Sequence, residues 1–306
     1  MAERLIRQIA EDNRSGAAEI LRLAAEAISL PGALEHEGVE AARRAVIATC
    51  AAVVRAQPDM APLLNLSSAA VRAALAATRA GEVTSAAARA AREYYDWAAR
   101  ALAAALPHAA GLIAEGATIM THSRGSSVLG ALKNASASGT RFGVIATESR
   151  PMLEGRALAE ALAGLSISVT LIADAAAALA LERADMVLIG ADRVTPEDLV
   201  SKVGTRMIAL AARERGTPVY AICDTSKFTA HSGPCAASRK RSADELWAGA
   251  PQGVEVFNAY FEPTPLGYFA GVITEDGVLR SEQVQPRARA MSAHPALLDA
   301  LGEGSA

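Results

Sequence analysis

Hydrophobic positions recur at two periods along this chain, and the change of period divides it. Up to about residue 110 apolar residues fall three and four apart, as in "IRQIAEDNRSGAAEILRLAAEAISL" and "VEAARRAVIATCAAVVRAQ". "SSAAVRAALAATRAG" and "TSAAARAAREYYDWAARALAAALPHA" continue the theme, so the spacing predicts helix after helix. Breaks are expected at Pro31-Gly32, around Pro58, at Gly81 and at Pro107. From about residue 117 short apolar runs alternate with amphipathic stretches. The runs are "ATIMTHS", "RFGVIATES", "SVTLIAD", "DMVLIGAD", "TPVYAICD", "GVEVFNAYFE" and "FAGVITEDG". Helices are expected between them, over 126–138, 153–164, 174–183 and 201–215. This alternation predicts an α/β fold, a parallel sheet with helices on both faces and right-handed crossovers. Strands buried on both faces read as continuous apolar runs. The stretch "CDTSKFTAHSGPCAASRKRSADELWAG" is too polar for core and is expected as a surface excursion or interface, and the tail "LGEGSA" as frayed.

Composition narrows the class. A chain of 306 residues has material for one large domain or two smaller ones. With 51% hydrophobic and 21% charged residues it fits a globular protein in water, and its abundant alanine favours closely packed helices. A net charge of −3 provides no strong basic field to draw nucleic acid. No apolar run approaches the ~18 residues of a membrane span. The opening "MAERLIRQIAEDNRSG" lacks an apolar signal core. Cys50, Cys223 and Cys235 form no close pair, which argues against a zinc knuckle and for reduced thiols in a cytoplasmic setting. The expectation is a cytoplasmic protein with no metal, no cofactor, and neither nucleic acid nor membrane as partner.

Candidate chemistry comes from the sheet. Ligands bind open parallel sheets beyond the strands' carboxyl ends. Every strand here leads into polar residues: Thr121 to Ser127; Thr147 to Arg150; Asp174; Gly190 to Arg193, with Ser201 and Lys202 beyond; and Asp224 to Phe228. Gly125 lets backbone approach, and Ser126 and Ser127 open a helix whose free N–H groups favour an anion. Arg124, Arg150 and Lys202 supply charge-assisted hydrogen bonds to phosphate. The same tight turn is also a common structural connection. Asp192, at the end of a very apolar run, suits proton transfer, or else caps a helix or pairs with Arg193. Glu148 either positions ligand hydroxyls or holds Arg150 in a salt bridge, the latter preferred without a sugar. His122 reads as a hydrogen-bonded strand-end histidine, Cys223 as core, Cys235 as a loop thiol without an activating partner, and Tyr94, Tyr95 and Trp97 as helix packing. With no GxGxxG after a strand and no GxxxxGK[ST], dinucleotide and P-loop readings are weak.

Several motifs occur together and in order: "MTHSRGSSVLGAL", "ATESRPMLEGRALAEAL", "VTLIADAAAAL", "ADMVLIGADRV", "SKVGTRMIALAARERGTPVYAICDTSKF" and "FNAYFEPTPLGYFAGVITEDGVL". The set resembles the superfamily uniting three groups. These are the alpha, beta and delta subunits of eukaryotic initiation factor 2B, 5-methylthioribose-1-phosphate isomerase and ribose-1,5-bisphosphate isomerase. The resemblance is strong over 110–285, and "EDNRSGAAEILRLAAEA" and "QPDMAPLLNL" extend it into the helical part. It implies an N-terminal helical domain over 1–110 and a Rossmann-like domain with a mainly parallel sheet over 111–306. It also implies a sugar-phosphate pocket and a homodimer through the C-terminal domain, sometimes assembled further. In the isomerases a cysteine in a "THC" turn and an aspartate in "GAD" carry the reaction. Asp192 stands at that aspartate and Ser123 at the cysteine. Lys202 matches the lysine of an Asn-Lys pair whose asparagine is Ser201 here, and Arg14-Ser15-Gly16-Ala17 stands where an Arg-Gly-Ala turn holds phosphate. "DTSKF" is closer to the initiation-factor and bisphosphate-isomerase branches. A serine hydroxyl is a far weaker acid than a thiol and needs a strong local base. Two readings remain: an aldose-ketose isomerase acting on a 1-phosphorylated pentose, or a non-catalytic subunit or sensor that binds a sugar phosphate or nucleotide.

Overall fold

The structure, a computed structural model, describes residues 1–12, 16–30, 38–231 and 241–302. The chain forms two compact units. One takes Met1–Arg100, Ser226–Gly233 and Arg287–Ala306; the other takes Ala101–Thr225 and Pro234–Pro286.

The first unit is helical. Its chain runs through α1 (Ala2–Glu11), α2 (Ala17–Ser29), α3 (Val39–Ala56), α4 (Ala61–Ala76) and the first two-thirds of α5 (Ala80–Ala110). Alanines on facing helices let backbones approach, and Leu21, Leu23, Val46, Leu63, Leu66 and Val71 fill the space between them. Pro62 opens α4, where a missing N–H costs nothing. The expected break at Pro107 does not occur. Proline removes one hydrogen bond near the end of α5, yet the helix runs on to Ala110 and the Pro107 carbonyl accepts from Gly111. Gly81 likewise lies in the first turn of α5 rather than between helices. The expectation of a single boundary near 110 also misses a return of the chain. Ala293 and Leu297 join the helical core from the far end of the sequence. Pro31-Gly32 lies outside the described residues.

The second unit is α/β. Its elements are β1 (Thr118–Thr121), α6 (Ser126–Ala137), β2 (Gly143–Thr147), α7 (Glu154–Ala163), β3 (Ser168–Ile172), α8 (Ala177–Ala180), β4 (Met186–Gly190), β5 (Arg193–Val194), β6 (Asp198–Lys202), α9 (Thr205–Arg215), β7 (Val219–Ile222), α10 (Asp244–Trp247), β8 (Phe261–Pro265), β9 (Gly271–Thr274) and β10 (Gly277–Leu279). Then α11 (Ser281–Ala290) spans the division, and α12 (Pro295–Leu301) belongs to the helical unit. Seven strands form one sheet in the order β10-β9-β7-β4-β1-β2-β3, parallel except for the terminal β10–β9 pair. Ile119, Leu132, Leu158, Leu188 and Ile273 build its core. The mainly parallel sheet is as expected. Its edge is not: no position of β3 is buried, and the strand has a neighbour on one side only.

A second, antiparallel sheet of three strands, β5-β6-β8, has no counterpart in the expected alternation. It absorbs Ser201 and Lys202 into β6, so the helix expected over 201–215 starts only at Thr205. The run "GVEVFNAYFE" yields just the first residues of β8, with Val254 and Phe257 exposed. "CDTSKF" is no surface excursion either. Ser226, Lys227, Phe228 and Thr229 are buried, and Asn65 donates to the carbonyls of Ser226 and Phe228 at 2.8 Å each. An amide that meets both carbonyls lets a polar-looking segment enter a core.

Candidate functional site at the carboxyl edge of the sheet

At the carboxyl ends of β1 and β2 the buried polar side chains bond to one another. His122 is 3% exposed, with Nε2 2.7 Å from the Val203 carbonyl and Nδ1 2.6 Å from Thr147 Oγ1. A carbonyl only accepts, so Nε2 carries the proton and Nδ1 accepts from Thr147. Thr147 Oγ1 lies 3.0 Å from Ser149 Oγ, which in turn accepts the Ser123 N–H at 2.8 Å. With the Thr147 proton given to His122, Ser149 Oγ donates to Thr147, either at Oγ1 or at its carbonyl 3.3 Å away. Burial holds the imidazole pKa below its usual value, with Lys202 adding to the effect, so the ring is neutral as this arrangement demands. Gly204, at φ 104°, runs against this ring: a side-chain carbon there would stand 3.0 Å from His122 Nε2.

Ser123 and Ser149 both adopt left-handed backbone, at φ 69° and 65°. Such conformations cost on the order of 1 kcal/mol each without glycine and are held by the bonds around them. The turn directs Ser123 Oγ to Glu154 Oε1 at 3.1 Å. The same oxygen receives Lys202 Nζ at 2.7 Å, and Lys202 is only 4% exposed. Glu154 opens α7, where helix N-terminal N–H groups favour a carboxylate. Its Oε2 is buried and has no hydrogen-bond partner among the described residues, a state that costs about 1–3 kcal/mol. Gly155 sets the position of Glu154: a side-chain carbon at 155 would fall 1.8 Å from the Thr147 carbonyl oxygen. Only glycine lets α7 begin so close to β2.

The segment after residue 240 packs on this edge. Tyr260 is buried, its hydroxyl donates to Glu245, and Lys202 Nζ and Arg241 Cζ lie 5.4 and 4.4 Å from its ring centre. Burial, reinforced by the Glu245 bond, pushes the phenol well above its usual pKa. Asn258 donates to Glu245 Oε2 at 2.9 Å. Several backbone N–H groups at the edge are occupied by the chain's own carboxylates. Asp174 accepts from Ser149 and Arg150 at 2.7 Å each, and Glu262 accepts from Gly204 at 2.7 Å and Arg206 at 2.9 Å.

The sequence candidates separate on this geometry. Ser123 and Lys202 meet on Glu154. Ser201 is buried with its hydroxyl donating to the Gly190 carbonyl at 2.8 Å. Asp192 is half-buried just past β4, with its N–H on the Val200 carbonyl at 2.9 Å. The β1 turn abuts this strand end, since a side-chain carbon on Gly125 would stand 3.7 Å from Gly190 Cα. Gly125 caps α6, and Arg124 and Ser126 beside it are exposed. Arg150 is half-buried and donates Nη2 to the Leu246 carbonyl at 3.1 Å. The expected Glu148–Arg150 salt bridge is replaced by Glu148–Arg156 at 2.8 Å, because the first turn of α7 brings Arg156 back over β2. Gly16 caps α2 in the helical unit, whereas Arg14 and Ser15 lie outside the described residues, as does Cys235. Glu154, Tyr260 and Glu245 are not among the residues that the sequence singles out. The signal for Glu154 is the glycine after it, at the start of a helix following a strand. Among the described residues no cluster of His, Cys, Asp and Glu suits a metal ion, and no helix is long and apolar enough to cross a membrane. Cys50 and Cys223 are buried, and burial pushes the Cys50 thiol up to about 12.

Fold and edge together define an α/β protein whose mainly parallel sheet gathers buried polar side chains where its strands end. Residues 10–281 match the Initiation factor 2 subunit family, and the chain belongs to it. It is 37% identical over 202 residues to ribose 1,5-bisphosphate isomerase of Archaeoglobus fulgidus, over 63% of this chain and 64% of that one. It is 35% identical over 194 residues to methylthioribose-1-phosphate isomerase of Geobacter metallireducens, over 57% and 56%. The matched region thus spans less than two-thirds of either relative. The crystal structure of the Pyrococcus horikoshii OT3 translation initiation factor eIF-2B matches with a TM-score of 0.80 and 28% identity, over 94% of this chain and 98% of that one.

Proposed function

We propose that this protein binds a phosphorylated sugar at the carboxyl edge of the seven-stranded sheet and isomerises it, aldose to ketose, with a 1-phosphorylated pentose as substrate. The carrying observation is the buried Lys202 cation, which meets Ser123 on one carboxylate at that edge. The likeness to two phosphosugar isomerases at 35–37% identity supports the same reading. With phosphate on O1, C1 has no free aldehyde. The ring C1–O bond must open, the ring oxygen gain a proton, the 2-hydroxyl lose one, and hydrogen pass from C2 to C1. Asp192, beside the β1 turn, is assigned the proton to the ring oxygen. Lys202, Arg124, Arg150, Gly125 and Ser126 are assigned to phosphate, and Glu148 and Ser201 to sugar hydroxyls. The cytoplasm is its proposed setting.

The alternative is a non-catalytic sensor or subunit. Ser123 at the cysteine position favours it. Phosphorus NMR of ribose 1,5-bisphosphate and 5-methylthioribose 1-phosphate with the protein decides between them: appearance of the ketose supports the isomerase, and thermal stabilisation without conversion supports the sensor. Asp192→Asn is expected to lower turnover about 10²–10⁴-fold while sparing that stabilisation. A homodimer is also proposed. Leu179 on α8 and Met207 and Leu210 on α9 are exposed apolar side chains on neighbouring elements, which a partner would cover. Sedimentation at micromolar concentration should show twice the chain mass; a monomer there refutes the dimer.

A further inference from the structure

We propose that Glu154 is the proton acceptor behind Ser123, so that this pair withdraws the proton of the sugar's 2-hydroxyl. The inference rests on the isomerase reading. The cysteine position suggests a group that gives a proton, but the hydrogen bond here points the other way. Ser123 donates to Glu154 Oε1 at 3.1 Å, so its oxygen lone pairs face outward and its proton is already directed at a base.

The surroundings suit Glu154 to that task. Lys202 Nζ, 2.7 Å away, stabilises the ionised carboxylate. Oε2 has no donor among the described residues, so the carboxylate keeps part of its pull on the serine proton. The charged and titratable groups facing it are Lys202 from β6, His122 from the end of β1 and Tyr260 from the chain leading into β8. His122 is neutral, and Tyr260 has its proton committed to Glu245, with Arg241 against its ring. Lys202 is thus the nearest fixed charge. Ser123 itself is held at φ 69° by its N–H bond to Ser149, which fixes where its hydroxyl stands.

The step balances. The O2 proton passes to Ser123 Oγ as the Ser123 proton passes to Glu154. The hydrogen on C2 moves with its electron pair to C1, the ring C1–O bond breaks, and the ring oxygen takes a proton from Asp192 in its acid form. Glu154 ends with one proton more and Asp192 with one fewer, and exchange with water restores both. Glu154 accepts the proton only through Ser123 and does not touch substrate, whereas Ser123 does.

Glu154→Gln keeps the shape and removes the charge. Expected is a fall in kcat of about 10²–10⁴-fold with KM little changed. Thermal stabilisation by ribose 1,5-bisphosphate should persist. Wild-type turnover, or a rise in KM with kcat unchanged, would overturn the proposal. A second measurement needs no turnover. In Ser123→Cys, the thiol is titrated by its thiolate absorbance against the wild-type chain. Adding Glu154→Gln should lower that thiol pKa by about one unit or more, because a like charge is removed while Lys202 stays. An unchanged pKa would also overturn the pairing. A shifted thiol in a protein that converts no phosphosugar would support the contact but remove the isomerase reading.

Discussion

In the helical unit, buried amides and hydroxyls reach for backbone. Gln57 donates to the carbonyls of Ile9 and Asp12 at 3.0 Å each, Asn65 to those of Ser226 and Phe228, and Ser68 accepts the His294 N–H at 2.8 Å. At the edge of the α/β unit some do the same, His122 to the Val203 carbonyl and Ser201 to that of Gly190, but others also reach for one another: His122 to Thr147 to Ser149, Ser123 to Glu154 to Lys202, and Tyr260 to Glu245 to Asn258. A side chain tied to a carbonyl fastens two stretches of chain and does little else. Side chains tied to each other can trade partners with a ligand, and their protons have somewhere to go. The contrast separates struts from chemistry without reference to any relative.

Three substitutions test it, and the largest effect belongs to the core of the helical unit. Leu63→Ala empties a fully buried site between helices and should cost about 2–5 kcal/mol in urea unfolding. The thermal shift given by ribose 1,5-bisphosphate should survive; its loss would erase the distinction between the regions. Lys202→Ala leaves a carboxylate without its cation. Breaking a buried pair costs about 3–5 kcal/mol, and about 3 is expected here because Glu154 keeps a quarter of its side chain in water. This variant should also lose the phosphosugar shift, and a full shift would remove Lys202 from the site. The smallest effect is the pH dependence set by His122. Burial lowers its folded pKa below the unfolded value of about 6.5, so the unfolded chain takes up the proton first. The stability it contributes is present above that value and is lost as pH falls through the folded one. His122→Gln should flatten the slope of stability against pH below about 6.5. An equally steep slope would point to other groups.

The sequence disclosed most where one period governs many residues. The helices of the first 110 residues and the strand-helix alternation after 117 were both readable, and with them the sheet edge where Ser123 and Lys202 meet on one carboxylate. It disclosed least where few residues decide. β5 has two residues, so the small antiparallel sheet left no periodic trace. An apolar run such as "SVTLI" reads alike at the centre and the edge of a sheet, and only strand order makes β3 an edge. Whether Arg150 or Arg156 meets Glu148 depends on how α7 starts, which rests on Gly155 and its clearance from Thr147. Asn65 turned "TSKF" into core through contacts 161 and 163 residues away in sequence, beyond any local window.

The return of Ala293 and Leu297 to the helical core, with Ser226–Gly233 inserted beside them, makes the chain pass between its units four times. No single cut can then release an intact half. A fragment ending at residue 110 would lack Leu297 and the Phe228 segment that Asn65 holds, and a fragment beginning there would carry both with nothing to receive them. Recombination that shuffled such genes at one crossover would yield two incomplete proteins, so the helical unit and the strand edge are bound to be inherited as a set.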